Sequence, residues 1–368
     1  MPAQSALDLA TLRADLEQAA APWRFAYTSM TALTEDSRVT RLGVPLPEDL
    51  DEEQLRLQSE SAAAAARAAS GDSIGAPASF DLRNAGGADY TTPVKDQGNC
   101  GSCVAFGTVA TLEHVTRYTR TPALPVDLSE AQMFYCWGRA DGAACSTGWF
   151  PEPALDAARD KGVTFEDYFP YTPGDQACAV NADWPNRLCR AASWQSLTSN
   201  IAGMKQYISQ YGSIVACFYV YQDFFSYGGG VYRHVSGGLA GGHCVVLVGY
   251  DDAQGCWIAK NSWGPSWGEA GFFRIAYGEC GIESWHTCGV PGTSLHTWLP
   301  NQLILGLWSN ESDNNVWAYG ALRGWLKLDG TAVPTGHAMF LELAAAKARG
   351  TQVGLFEHDG QVHQVYAW

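Results

Sequence analysis

The segment 97–103 constrains this chain more than any other feature. It begins at Gln97, ends at Cys103, and precedes an apolar run with the composition of a helix. Cys103 therefore stands where that helix would begin. A cysteine acts as a nucleophile in its thiolate form, and the positive end of a helix dipole favours that anion. The sequence predicts a reactive thiol at Cys103, which needs a base and an orienting group from elsewhere in the chain.

Two later segments supply those groups. His243 lies between a glycine-rich stretch and an apolar run typical of a strand, and Asn261 follows a second such run. His243 would draw the proton from Cys103 to give a thiolate–imidazolium pair and later protonate the leaving amine. Asn261 would fix the imidazole ring, the role of the third member of a catalytic triad. Cysteine, histidine and asparagine in this order predict a thiol hydrolase.

These motifs, together with residues 77–83 and 280–284, resemble the papain family of cysteine peptidases. The resemblance implies an α+β fold in which a helical lobe and a β-barrel lobe face each other across the active-site cleft. It also implies an endopeptidase that needs no cofactor and no metal. The family usually has tryptophan where this chain has Val104, behind the nucleophile. We expect this difference to alter packing and to leave function intact.

The resemblance also implies roles for individual side chains. Gln97 would donate a side-chain N–H to the developing oxyanion, and the backbone N–H of Cys103 would be the second donor. Removing one such donor typically costs about 3–4 kcal/mol of transition-state stabilisation. Trp263 would shield the bond between His243 and Asn261 from water.

A substrate groove follows from the same resemblance. Gly148 matches the glycine that binds the backbone of an extended substrate, and Gly242 and Trp263 would border the groove. The pocket for the second residue before the scissile bond would be lined by Phe150, Gly241, Cys244 and Trp285. Because Trp285 would place a large ring at the floor of this pocket, we expect a preference for small or flat side chains there.

Cysteine content gives conflicting evidence about the compartment. Eleven cysteines favour disulfides and hence a secreted or extracytoplasmic protein. The first residues, however, have neither the basic nor the apolar region of a signal peptide. The resemblance implies a disulfide between Cys100 and Cys145, and a second between Cys136 and either Cys178 or Cys189. It also implies a partner for Cys280, for which Cys217 and Cys288 are the candidates.

Charge and length restrict the possible partners and the organisation. A formal net charge of −15 makes nucleic acid a poor partner, because phosphate binding needs a clustered basic surface. No apolar run approaches the roughly 20 residues that span a bilayer. The length of 368 residues suggests two or three units.

We assign residues 1–76 to a helical segment, 77–292 to the peptidase-like domain, and 293–368 to a small α+β, strand-rich C-terminal domain of unknown role. The first segment predicts a helix capped around Ser5 and Asp8, another over 34–42, and an alanine-rich helix from Pro47 to Ala69. A flexible linker over 70–75 follows. The position of residues 1–76 directly before the peptidase-like domain favours an inhibitory propeptide. The alternative is an N-terminal extension that only improves solubility.

Two other functions stay open at this level. A papain-like fold that passes its acyl group to an amine would be a transpeptidase or acyltransferase, with the same thioester intermediate. The C-terminal domain, which is rich in tryptophan, could instead bind a glycan or a protein, although core packing explains most such side chains.

Overall fold

The N-terminal segment contains three helices and a short strand in the computed structural model, which describes residues 8–68, 75–121, 124–312, 315–329 and 333–367. These elements are α1 (Leu9–Gln18), β1 (Trp23–Phe25), α2 (Glu35–Thr40) and α3 (Glu52–Ala68). Asp8 and Thr34 cap α1 and α2 through their side chains. The three predicted helices are confirmed, but α3 begins later than Pro47. Ser5 and residues 69–74 of the predicted linker lie outside the described residues.

The next region forms the helical lobe. It contains β2 (Ser79–Asp81), α4 (Cys103–Tyr118), α5 (Pro151–Asp160), β3 (Val163–Thr164) and β4 (Leu188–Ala191). Every residue of α4 from 103 to 116 is buried, so this helix is the core of the lobe. A π-helical segment, Gln132–Gly138, follows α4 in this lobe.

The second lobe is built on a nine-stranded, mostly antiparallel sheet. Its elements are β5 (Gln195–Ser196), α6 (Ile201–Tyr211), β6 (Ile214–Tyr221), β7 (Tyr227–Tyr232), β8 (Leu239–Asp251), β9 (Cys256–Lys260), β10 (Phe272–Ala276) and β11 (Thr287–Gly289). The strand order is β1-β7-β10-β9-β8-β6-β11-β5, with β2 also paired to β8. The N-terminal segment thus adds its own strand, β1, to the edge of this sheet.

The strands β8 and β9 contain the two apolar runs that the sequence predicted as strands, one after His243 and one before Asn261. The strands β7 and β11 were not predictable from the sequence. Three consecutive glycines interrupt β7, and β11 has three residues. Glycine is depleted in strands, and so short a run carries no periodicity that a pattern could reveal.

The C-terminal region forms a second sheet together with part of the helical lobe. It contains β12 (Thr293–Gln302), β13 (Ile304–Ser309), β14 (Val316–Gly320), β15 (Gly324–Leu328), α7 (Val333–Arg349), β16 (Val353–His358) and β17 (Gln361–Ala367). The order is β13-β14-β15-β17-β16-β12-β4-β3. Strand pairing therefore crosses the predicted boundary at residue 292, because β12 lies between β16 and β4.

The cysteines form fewer disulfides than their number suggested. Bonds join Cys100 to Cys145 and Cys136 to Cys178, the latter being one of the two alternatives left open by the sequence. The seven other cysteines are buried free thiols. The predicted partners of Cys280 are wrong, because Cys280 packs in a different core cluster from the one that holds both candidates, Cys217 and Cys288.

None of the helices within the described ranges is long and apolar enough to cross a membrane.

Candidate active site

Cys103 is the first residue of α4, and the chain before it is tightly fixed. The disulfide between Cys100 and Cys145 lies just ahead of the helix, and the backbone N–H of Gly101 donates to the Cys145 carbonyl at 2.9 Å. Ser102 stands at the N-cap but makes no side-chain cap bond, and its hydroxyl lies 2.8 Å from that of Tyr171. The helix end therefore faces the Cys103 thiol without a capping side chain in between.

His243 lies within the long central strand β8, and its ring is held by Asn261. The His243 Nε2 atom is 2.8 Å from Asn261 Oδ1, and the backbone N–H of Ser262 donates to the same oxygen at 2.8 Å. A backbone N–H can only donate, so the oxygen must face it, and Nε2 carries the imidazole proton. The lone pair of the neutral ring is then on Nδ1. Among the residues that the structure describes, Nδ1 makes no hydrogen bond of good geometry, although the Arg41 backbone is close enough to influence the pKa of the ring.

Trp263 lies where the sequence predicted a shield. Its ring centroid is 4.7 Å from that of His243. The Trp267 ring packs edge-on against the Trp263 ring, with centroids 5.0 Å apart. Both tryptophans are fully buried. Their rings keep water away from the hydrogen bond between His243 and Asn261. A water molecule that replaced Asn261 in this bond would leave the imidazole free to rotate.

The Gln97 side chain is buried and its amide is oriented by two contacts. Its Oε1 atom accepts from the Ser262 hydroxyl at 2.7 Å, which directs Nε2 toward the cleft. Nε2 donates to the Cys100 carbonyl at 2.7 Å and to the Arg41 carbonyl at 3.0 Å. The sequence analysis missed Ser262, although its position directly after Asn261 was visible. Its role depends on the fold bringing residues 97 and 262 together.

The cleft is not open, because residues 41–44 of the N-terminal segment run through it. The backbone N–H of Trp149 donates to the Gly43 carbonyl at 2.9 Å, and that of Val44 donates to the Gly242 carbonyl at 3.1 Å. A side chain at position 43 would have no room, because its Cβ would lie 2.0 Å from the Gly101 carbonyl oxygen. A Cβ at Gly148 would in turn lie 2.1 Å from the Gly43 oxygen.

In this covered state the surroundings of the two groups do not favour the predicted thiolate–imidazolium pair. Burial raises the pKa of Cys103 to about 12, although backbone N–H groups, including that of Gly43, act to lower it. Burial also lowers the pKa of His243 to about 4, with the Asn261 side chain and the Arg41 backbone acting in the opposite direction. Both shifts favour the neutral forms, because burial removes solvent that would stabilise the charges, and residues 41–44 contribute to that burial.

Trp285, one of the predicted pocket residues, packs directly against Gly242. Its indole stacks on the Tyr219 ring with centroids 4.3 Å apart and an angle of 7°. A Cβ at Gly242 would lie 2.4 Å from that indole, and one at Gly241 would lie 2.9 Å from the Leu42 side chain. Cys244 is buried in the same core cluster as Trp285.

Phe150 lies further out and is 37% exposed. Its ring packs against His286, whose Nδ1 is 2.8 Å from Glu152 Oε1. The sequence analysis missed this histidine–glutamate pair, because nothing in the local pattern places residues 152 and 286 side by side.

Within the described part of the chain, no group of three or more His, Cys, Asp or Glu side chains could hold a metal ion.

Comparison with known proteins gives a consistent result. A family model described as "Papain family cysteine protease" matches residues 76–290. "Cathepsin B-like CP2" of Giardia intestinalis is 36% identical over 235 residues, which cover 60% of this chain and 76% of that protein. "Gut-specific cysteine proteinase" of Caenorhabditis elegans is 32% identical over 236 residues, covering 56% and 71% respectively.

Solved structures show the same fold with an N-terminal pro-region. The procathepsin B S9 of Trypanosoma congolense superimposes with a TM-score of 0.59 at 24% identity, covering 77% of this chain and 97% of its own. The digestive procathepsin L2 of Tenebrio molitor gives a TM-score of 0.59 at 25% identity, covering 77% and 88%. The fold of this chain is papain-like, with helices and sheets in two lobes.

Proposed function

Because the chain belongs to the papain family of cysteine proteases, we propose that it cleaves peptide bonds through a thioester on Cys103. In the uncovered enzyme, Nδ1 of His243 takes the thiol proton, and the thiolate attacks the substrate carbonyl carbon. Asn261 keeps the ring in the tautomer that leaves Nδ1 free to act as base. The imidazolium then protonates the departing amine, and water hydrolyses the thioester by the same route in reverse.

The oxyanion of each tetrahedral intermediate would be held by the side chain of Gln97 and the backbone N–H of Cys103. The position of the Arg41 carbonyl supports this assignment. That oxygen accepts from Gln97 Nε2, as the oxyanion of a substrate would. The donor is already oriented by Ser262, so little reorganisation is needed when charge develops.

We further propose that residues 1–76 are the pro-segment that keeps the enzyme latent. The observation that carries this proposal is the course of residues 41–44 through the cleft. A substrate is expected to place its upstream residues along Gly148 and its scissile carbonyl at Gln97. The covering segment instead has Arg41 at Gln97 and the later residue Gly43 at Trp149. It therefore runs opposite to a substrate, which explains how it occupies the site without being cleaved there.

Cleavage within residues 70–75 would release a peptidase domain, 77–292, that still carries the C-terminal domain, 293–368. The expected partners are a peptide or protein substrate and the pro-segment itself, with nucleic acid excluded by the acidic charge. Two disulfides support a secreted or extracytoplasmic location.

Trp285 would restrict the pocket for the second residue before the scissile bond. The stacked indole leaves little depth beside Gly242, so small or flat side chains should be preferred. Trp285→Ala should shift the preference toward large apolar residues by about 10-fold or more in relative kcat/KM. A peptide library dominated by Phe, Leu or Arg in the unaltered enzyme would overturn this part of the proposal.

The nucleophile is tested by substitution in the full-length chain followed by cleavage in the linker. Cys103→Ala should lower hydrolysis of a fluorogenic dipeptidyl amide by about 10⁴-fold or more. The matched control is Cys256→Ala, another buried free thiol, which lies in β9 and should keep its activity. Activity that persists without the Cys103 sulfur would eliminate the assignment.

A further inference from the structure

Three further thiols share the core cluster of Cys103. Cys217, Cys244 and Cys288 are all free and buried in that cluster. Cys244 directly follows His243 in β8, while Cys217 and Cys288 belong to β6 and β11. The proposed hydrolysis uses none of these three sulfurs for chemistry.

Cys217 and Cys244 face each other across two paired strands. They are direct partners in the antiparallel register of β6 and β8. Directly opposed residues in such a pair have Cα atoms about 4.5–5.5 Å apart and project to the same side of the sheet. A disulfide requires a Cα separation of about 4.4–6.8 Å. The two strands therefore hold this dithiol at a spacing that a disulfide can bridge.

Cys244 is also next to the helix that carries the nucleophile. A Cβ at Gly107 would lie 2.8 Å from the Cys244 sulfur, so the thiol packs directly onto α4 at that position. Gly107 is one helical turn after Cys103 and lies on the same face of α4. The backbone N–H of Cys244 also reaches the Cys103 sulfur, where it helps to lower the pKa of that thiol against the larger effect of burial. Cys244 therefore adjoins both Cys217 and the first turn of α4, which carries Cys103.

We propose that Cys244 and Cys217 form a relay that returns peroxide-oxidised Cys103 to the thiol in the cleaved enzyme. The proposal rests on the assignment of Cys103 as the nucleophile. It makes this dithiol a site of reversible modification, whose co-reactant is hydrogen peroxide or another small hydroperoxide.

The oxidation of Cys103 and its reduction by the relay would take three steps. The Cys103 thiolate attacks one peroxide oxygen, the O–O bond breaks, and sulfenic acid and hydroxide form. The Cys244 thiol then attacks the sulfenic sulfur, and a Cys103–Cys244 disulfide forms with loss of water. Finally the Cys217 thiolate attacks the Cys244 sulfur and expels the Cys103 thiolate. In sum, two thiols become one disulfide, and the peroxide accepts two electrons and becomes water.

The order of these steps has a physical basis. The backbone N–H of Gly43 lies against the Cys103 sulfur, so this thiol should meet peroxide once residues 41–44 leave, whereas Cys217 is buried within strand β6. Burial raises the pKa of Cys217 well above its usual range, so the last exchange should be the slow one. The Cys103–Cys244 disulfide should therefore appear first and the Cys217–Cys244 disulfide later. In the uncleaved chain the pro-segment covers Cys103, and none of the steps should begin.

The test treats the cleaved enzyme with a small excess of hydrogen peroxide and maps its disulfides by mass spectrometry over time. Activity is followed in parallel, relative to each variant's own starting value. The unaltered enzyme should lose activity, regain it without added reductant, and end with a Cys217–Cys244 disulfide. Cys217→Ala should stop at the Cys103–Cys244 disulfide and recover only with dithiothreitol. Cys244→Ala should accumulate irreversible Cys103 sulfinic acid about tenfold faster.

Cys256→Ala, the matched control, should behave as the unaltered enzyme does. Equal sulfinic acid formation with and without Cys244, and no Cys217–Cys244 disulfide, would overturn the relay. The mapping of the unaltered enzyme needs no variant, so a misfolded substitution cannot obscure it. It is also independent of turnover, so an inactive protein would count against the proposed function while the disulfide pattern still decides the relay.

Discussion

Two additions to the peptidase lobes, one at each end of the chain, attach in different ways. The N-terminal segment adds β1 to a sheet edge, with two register pairs to β7, and passes residues 41–44 through the cleft. The C-terminal region instead continues a sheet of the helical lobe, with β12 paired to β4 on one side and to β16 on the other. The N-terminal segment lies across both lobes, whereas the C-terminal region is part of the helical lobe.

Buried charge reinforces that difference. Glu357 of β16 is fully buried and accepts from Arg323 at 2.8 and 3.0 Å. Arg120, just after α4, lies 3.2 Å from the same carboxylate. Burial lowers the pKa of Arg120 to about 10, while Glu357 acts to raise it. Such a triad is costly to break, since removal of one member leaves the others buried without a counter-charge. The C-terminal region is thereby integrated with the helical lobe, whereas the N-terminal segment is the part that we propose is removed by cleavage.

The largest loss of stability is expected at the junction between the C-terminal region and the helical lobe. Glu357→Ala should lower the free energy of unfolding of the full chain by about 3–5 kcal/mol, because two arginines lose their buried partner. Denaturant unfolding measures this loss, with Glu311→Ala, an exposed acid in the same region, as the control. A loss below about 1 kcal/mol would mean that this triad does not hold the C-terminal region to the helical lobe.

The next effect is expected where the pro-segment joins the sheet edge. Trp23 is buried against Tyr227 and Tyr232, and its Nε1 donates to the Arg233 carbonyl at 2.8 Å. Trp23→Ala should weaken attachment of the segment by about 3 kcal/mol and speed alkylation of Cys103 in the uncleaved chain by roughly 100-fold.

Tyr27→Ala is the matched control for that variant, because Tyr27 is 76% exposed on the same segment. Once the linker is cut and the segment removed, the Trp23 variant and the unaltered enzyme have the same sequence. A difference in turnover that survives cleavage would therefore contradict an effect confined to the cover.

A smaller effect of the same kind is expected within the cleft. Gly43→Ala puts a Cβ into the Gly101 carbonyl, and relief of that overlap requires a backbone shift worth about 1–3 kcal/mol. Alkylation of Cys103 in the uncleaved chain should then be about tenfold faster. Leu46→Ala, partly exposed three residues later, should leave the rate unchanged. Equal rates for the Gly43 variant and the original would show that residues 41–44 do not control access.

The sequence predicted the groups that do the chemistry because each belongs to a local motif. Cys103 at a helix start, His243 in an apolar strand and Asn261 after another were all visible as short patterns. The strands β6, β8 and β9 were predictable for the same reason, since their apolar runs are continuous. Local patterns therefore located the residues of the site and the elements that position them.

Features that depend on long-range contacts could not be predicted in this way. Gly43 covers Cys103 because its backbone meets that of Gly101, which is distant in sequence. No periodic pattern in the sequence predicts such a contact. The same holds for the opposition of Cys217 and Cys244, which depends on strand register. The burial of Cys103, which acts on its pKa against the helix dipole, likewise depends on contacts that the local sequence does not show.

The central claim is that the pro-segment holds Cys103 and His243 as a neutral pair, and direct titration of the thiolate tests it. Ultraviolet absorbance of the thiolate is compared between the original chain and its Cys103→Ser variant, before and after cleavage in the linker. Before cleavage, the difference should show no Cys103 thiolate at about pH 7, because burial raises the pKa of Cys103 to about 12. After cleavage the thiolate should be present at that pH. The same thiolate signal in the uncleaved chain would contradict the account.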